Sequence, residues 1–465
     1  MSILNDMVNY IYIAFENEKE ILMHTSNQLI GNTKNINNKI ASIYVKDQIG
    51  FWGCVIIAID LLINPINSPG VAGALGCKYI IGVLCDFFIL LLALIASYRI
   101  LHSKSNEYFN NRTKVIVIFC WLAIFACSAS SIISCGIVAR SAMTGFADII
   151  IVLYFSKRKY FWIALTICVL LNILLALFII YIPNLSFLQT AKYLSSQDYQ
   201  AMELGGLGIR DIALNRPMGH LPDSFVLSIN AFVCLFIIIP TIYLSKLNKY
   251  IKQISIILLS VISILLIFIT NSRATISSTV FIALAEIFKL RGISRIIILI
   301  VLCIAYQGLC NITIDENSLL GPTITRLQNI GDSTESRSES YSSQFNNFYD
   351  WAAFGYGDFD KLISTVGQPH FAILKYWVLY GIIPGIILAF FSIIAISVMF
   401  MNKHIKENIL PFENTTFFGI CNCAWLFIAI SFTNHMARGS TMWYLLGIVL
   451  LPWIVNRISI PKHNQ

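Results

Sequence analysis

Residues 254–290 read ISIILLSVISILLIFIT, then NSRAT, then ISSTVFIALAEIFKL: two apolar runs parted by a turn of five residues. The first run carries no charge at all, and the second only Glu286 and Lys289. A helix crosses a bilayer on about 20 mostly apolar residues, so this stretch reads as a hairpin of two spans. A turn so short pins Arg273 at the membrane surface; the plainer alternative is an arginine that snorkels from a helix end. The rest of the chain agrees with a membrane protein. Of its 465 residues, 57% are hydrophobic and 12% charged. Soluble domains carry roughly 25% charged residues, so a water-soluble enzyme is excluded.

Twelve such runs can be marked, at about 50–66, 79–100, 115–133, 137–155, 161–183, 224–244, 254–270, 276–290, 296–312, 371–400, 415–433 and 441–456. The expected fold is therefore all-α and polytopic, with a transmembrane bundle over 50–456. It is flanked by a cytoplasmic segment over 1–49, holding an interfacial helix near Val8–Phe15, and a tail over 457–465. No basic region leads into an apolar core and cleavage site, so a cleaved signal peptide is not expected. Orientation follows from the basic residues. Lys104, Arg112 and Lys114, then Lys157–Lys159, then Lys246, Lys249 and Lys252 follow every second run. Lys289, Arg291 and Arg295, then Lys403 and Lys406, then Arg457 and Lys462 continue the pattern. All six clusters fall on one side, which the positive-inside rule makes cytoplasmic, together with both termini. The charge of +8 is thus topological and does not point to nucleic acid.

The opposite side carries two loops too long for simple turns, 184–223 and 313–370. It also prefers arginine: Arg140, Arg210, Arg216, Arg273, Arg326, Arg337 and Arg438 against Lys192, Lys361 and Lys375. A guanidinium grips phosphate oxygens with a planar fork and stays charged when desolvated, whereas an ammonium acts as a point charge. An outer face rich in arginine suits an anionic ligand such as a diphosphate-linked lipid; alternatively, some of these arginines pair with nearby carboxylates. His370 closes the second long loop, and its imidazole titrates near neutrality, suiting it to take a proton from a sugar hydroxyl. The last outer turn holds His435 and Arg438, which either line the same cavity or stand exposed.

Other features are weaker. No CxxC pair occurs, and most of the twelve cysteines fall inside apolar runs, where thiols act as small hydrophobes. Asp358-Phe359-Asp360 has the form of the metal-binding DxD of sugar transferases, a pattern common by chance in loops. Asp60, Asp86, Asp148 and Glu286 lie within or near spans, where a carboxylate costs about 3 kcal/mol and is a functional candidate, including in a proton-coupled transporter. No GxxxxGK[ST] phosphate loop occurs, so an ATP-driven pump is not indicated.

Taken together, Ser272-Arg273, Arg337, Gly355-Tyr356-Gly357, His370, Leu374 and Gly381 resemble the motifs of the O-antigen polymerase and O-antigen ligase superfamily. That family has a Ser-Arg turn, then a long periplasmic loop with an Arg and a Gly-x-Gly. A His-Asn-x-x-Leu stretch follows, with a glycine eleven residues after its histidine. The segment with Arg210 and Arg216-Pro217-Met218-Gly219-His220 is similar to the family's other arginine-bearing loop. Phe371 departs from the pattern, standing where the family commonly has Asn or Ser. The resemblance covers about 200–390, and earlier spans by topology alone.

The resemblance implies a GT-C-like bundle in the bacterial inner membrane whose active site faces the periplasm. It implies a membrane glycosyltransferase, metal-independent and without cofactor, that uses an undecaprenyl-diphosphate-linked oligosaccharide. His370, Arg273 and Arg337 would be catalytic; Arg210, Arg216, Arg326, Arg438 and His435 would bind diphosphate or glycan. A chain-length regulator would be the protein partner, and the lipid bilayer the surroundings. Polymerase is the favoured member, ligase the second, and a lipid-linked oligosaccharide flippase a third reading from a different class.

Overall fold

The computed structural model describes residues 52–58, 61–62, 80–103, 110–136, 140–182, 184–185, 219, 221, 224–244, 248–270, 272–289, 341–367, 369, 371–399, 414–433 and 440–455. The chain forms two compact units, Met1–Gly53 and Cys54–Gln465; the first lies almost wholly outside the described residues. In the second, every regular element among the described residues is helical. The helices are α1 (Ile80–Leu101), α2 (Asn111–Cys135), α3 (Arg140–Phe155), α4 (Lys159–Tyr181), α5 (Ser224–Val233), α6 (Ile239–Leu244), α7 (Lys249–Ile269) and α8 (Arg273–Lys289). There follow α9 (Phe348–Trp351), α10 (Phe359–Val366), α11 (Ala372–Tyr380), α12 (Ile382–Met399), α13 (Asn414–Thr433) and α14 (Ser440–Val455). Six helical stretches among the described residues are long and apolar enough to cross a membrane. The ninth expected run, 296–312, lies outside the described residues.

The centre is α3, which packs on α1, α2 and α14 and buries Phe146, Ala147, Phe155 and all of 149–153. At 16 residues it is about 24 Å long, short of a full crossing. Its middle is buried among protein side chains. At the opposite extreme, α7 turns Ile254, Ile257, Leu258, Val261 and Leu265 outward. An apolar surface of that extent is what lipid covers.

Two ends of the bundle can be told apart. At one, the Asn110 side chain donates to the Ile454 carbonyl at 2.7 Å, and the Arg112 guanidinium donates to Trp453 at 2.8 Å. These donors meet carbonyls that the last turn of α14 leaves without helical partners. Lys114 reaches the Ser103 carbonyl at 3.0 Å, so the basic residues at the start of α2 meet the end of α14 and the segment that follows α1. At the other end, Arg140 at the head of α3 donates to the Asp86 carboxylate of α1. That ion pair settles two residues the sequence left open: Arg140 and Asp86 answer each other.

The sixth run, 224–244, is helical but not uniformly so. Pro240 has no N–H to give the Phe236 carbonyl four residues back. The ladder slips to a π turn over Cys234–Ile238, with the Ile239 N–H bonding Cys234. Gly419 of α13 lies against the Phe236 carbonyl, where a Cβ would overlap the oxygen. Gly419→Val should therefore part α13 from the π turn and cost about 1–3 kcal/mol. A melting curve of the purified protein in detergent checks this; an unchanged midpoint would mean the contact bears no strain.

Candidate functional site

The tenth expected run, 371–400, is not one helix but two. α11 stops at Tyr380, and Gly381 takes φ +91° and ψ −177° before α12 begins. Pro384, in the first turn of α12, has no N–H for the carbonyl four residues back, which favours a break at this point. A break leaves main-chain groups without helical partners, and in a buried or membrane setting each must be met elsewhere.

The Gly355-Tyr356-Gly357 turn meets them. The Tyr356 N–H donates to the Val378 carbonyl at 2.9 Å and the Gly357 N–H to Leu379 at 2.6 Å, while the Ile382 N–H donates to Ala353 at 3.3 Å. The contact is main chain on main chain, so side chains at the crossing must vanish. A Cβ on Gly355 would overlap the Leu379 carbonyl, one on Gly357 the Ser130 carbonyl, and one on Gly381 the Ala353 carbonyl. All three glycines also hold positive φ, at 72°, 68° and 91°. The far end of α2 closes the arrangement: the Ser130 hydroxyl donates to Phe354, and Ser131 to Gly357 at 2.8 Å. Motif elements lying 24 residues apart in the chain thus form one latch, at the end of α2 opposite Asn110 and Arg112.

An aromatic cap folds over the latch. Trp351, Tyr356, Leu362, Val366, Leu374, Val378 and Leu379 form a second hydrophobic cluster, apart from the main core. The Trp377 indole donates to Ala352 at 2.8 Å, and the Trp351 indole to Gln344 at 3.0 Å. The described part of the second long loop is accordingly short helices seated on α11. Tyr356 is 5% exposed, and its hydroxyl has no hydrogen-bond partner among the described residues. Burial, with the Asp350 carboxylate nearby, holds this phenol above its ordinary pKa, so at neutral pH it is a neutral donor. Lys361 lies over its ring at 5.9 Å.

The remaining expected site residues divide as follows. Ser272 is buried and precedes α8; its carbonyl accepts the Ile276 N–H and the Thr275 hydroxyl, each at 3.0 Å. Arg273 is the first residue of α8, which packs along α13 with Phe281 stacked on Trp425. Gly219, from the earlier arginine-bearing loop, has φ +60° and rests on Ala176 of α4. Arg210, Arg216, Arg326, Arg337, His370, His435 and Arg438 lie outside the described residues. Asp358 of the DxD pattern immediately precedes α10, its carbonyl accepting the Leu362 N–H at 3.1 Å. No group of three or more metal-ligating side chains occurs among the described residues. Asp148 is buried within α3, while the side chain of Glu286 and the whole of Asp60 lie outside the described residues.

Sequence reasoning passed over Ser130 and Ser131. Their only signal was a hydroxyl pair near the end of an apolar run, and that pattern serves many helices. No protein-family match was found for this chain, and no match among curated proteins.

Proposed function

We propose that this chain is an O-antigen polymerase, joining undecaprenyl-diphosphate-linked repeat units at the periplasmic face of the inner membrane. The observation that carries the reading is the latch. Gly355-Tyr356-Gly357 and Gly381 are separate elements of the resemblance, and a single main-chain contact requires all three glycines. Its place at the end away from Arg112 and Lys114 suits a periplasmic site under the positive-inside rule.

In this reading the hydroxyl oxygen of the acceptor sugar attacks the anomeric carbon of the donor glycan. The bond from that carbon to the diphosphate breaks, and undecaprenyl diphosphate leaves with the electron pair. Arg273 and Arg337 stabilise the developing charge on the leaving group. His370 takes the hydroxyl proton. Arg210, Arg216, Arg326, Arg438 and His435 hold the diphosphate and glycan. No metal or nucleotide sugar enters the balance. The latch fixes where α11 ends relative to α2.

The test is a lipopolysaccharide gel from a strain lacking the protein. Core carrying a single repeat unit is the expected result, since ligation survives while polymerisation is lost. Bare core with long chains still on the lipid carrier would make the chain the ligase. Bare core with single units held at the inner leaflet would make it the flippase.

A further inference from the structure

The cap over the latch has two aromatic faces. Inward, Trp351 and Phe348 belong to the second hydrophobic cluster. Outward, Phe345 and Tyr349 lie on either side of the turn at Asn347 and are 61% and 95% exposed, and Phe354 is 72% exposed. Three large aromatic side chains turned away from a protein need a cover. Ser342, Asn346 and Asp350 are interleaved with them and are exposed as well. That mixture of rings and polar groups is too wet for the hydrocarbon core and too apolar for bulk water; it matches the headgroup zone.

Position supports the same cover. The Phe354 backbone lies against Gly381, at the head of α12, whose Ile382, Ile383 and Ile386 are also turned outward. The Ser130 hydroxyl ties Phe354 to the end of α2, where Ile132 and Ile133 are exposed. The exposed aromatics therefore continue the apolar outer surface of two helices long enough to span a membrane. We propose that the outward face of 345–354 is a membrane-interface anchor, with Phe345, Tyr349 and Phe354 set into the headgroup region around α2 and α12. The anchor fixes the depth of the latch in the bilayer. The inference requires that the bundle be membrane-embedded, and does not require the transferase reading.

Photo-crosslinking tests it. Benzoylphenylalanine is placed singly at positions 345, 349 and 354 of the full chain, and at exposed Ser364 of α10 for comparison. The proteins are reconstituted in vesicles of phosphatidylethanolamine and phosphatidylglycerol with radiolabelled acyl chains, then irradiated with and without a soluble dextran oligosaccharide. Labelled phospholipid on 345, 349 and 354, several-fold above position 364, is the expected result. Lipid adducts no more abundant than at 364 would overturn the proposal, as would capture of dextran in place of lipid, which would make the surface a sugar platform. Because the readout is a lipid adduct, loss of polymerase activity leaves it intact, and failure of either proposal can be told from failure of the other.

Discussion

Under the proposed polymerase function, Gly381→Ala is expected to remove long-chain product altogether, and to lower the melting temperature of the purified protein. The backbone at φ +91°, ψ −177° belongs to a region that only glycine occupies at ease, and another residue there costs about 1–3 kcal/mol. The added methyl would also meet the Ala353 carbonyl and the Phe354 backbone. The clash can be relieved only by lifting the turn. That motion breaks the bonds from Tyr356, Gly357 and Ile382, each worth about 1 kcal/mol net. Ser364→Ala, on the exposed face of α10, serves as the control and should change neither quantity. Native chain lengths and a native melting temperature in Gly381→Ala would show that the break closes without glycine, and the latch would lose its importance.

The second large effect is expected from Arg273→Ala: loss of polymer with normal expression and a normal melting curve. If the guanidinium stabilises the leaving diphosphate, its removal should slow turnover by about 10²–10³-fold, as removing a single donor to a developing oxyanion does. Arg273→Lys separates charge from shape. An ammonium keeps the charge but loses the planar fork, so the lysine variant should stay far below the native chain. Normal long chains in Arg273→Ala would take Arg273 out of the site. The two variants also differ in kind: Gly381→Ala should damage stability and product together, Arg273→Ala product alone.

Most helices were legible as apolar runs because burial and lipid contact ask for the same side chains. Their ends were less so. α2 begins at Asn111, several residues before the apolar run at 115, because Asn110 caps it through the Thr113 N–H and a hydropathy reading cannot see a cap. The break at Gly381 was hidden for a related reason. Ile382 and Ile383 carry the apolar pattern straight across it, and a main-chain interruption leaves the average hydropathy unchanged. Gly355, Gly357 and Gly381 were named only through a family resemblance. Nothing in their spacing said that they touch, since bonds between peptide groups leave no residue type to read. The outward aromatics at 345, 349 and 354 were missed for the opposite reason: the polar loop around them dilutes their signal. Arg140 and Asp86, read separately as a ligand arginine and an intramembrane carboxylate, turned out to be partners.

The bonds that close the latch belong to peptide groups, and this gives it a built-in reporter. The amide hydrogens of Tyr356, Gly357 and Ile382 are each engaged with a carbonyl across the break. They exchange with deuterated solvent only when the turn lifts, so their exchange rate measures how often the cap opens in the unlabelled, unmutated protein. If donor and acceptor lipids enter beneath the cap, that rate sets an upper limit on turnover.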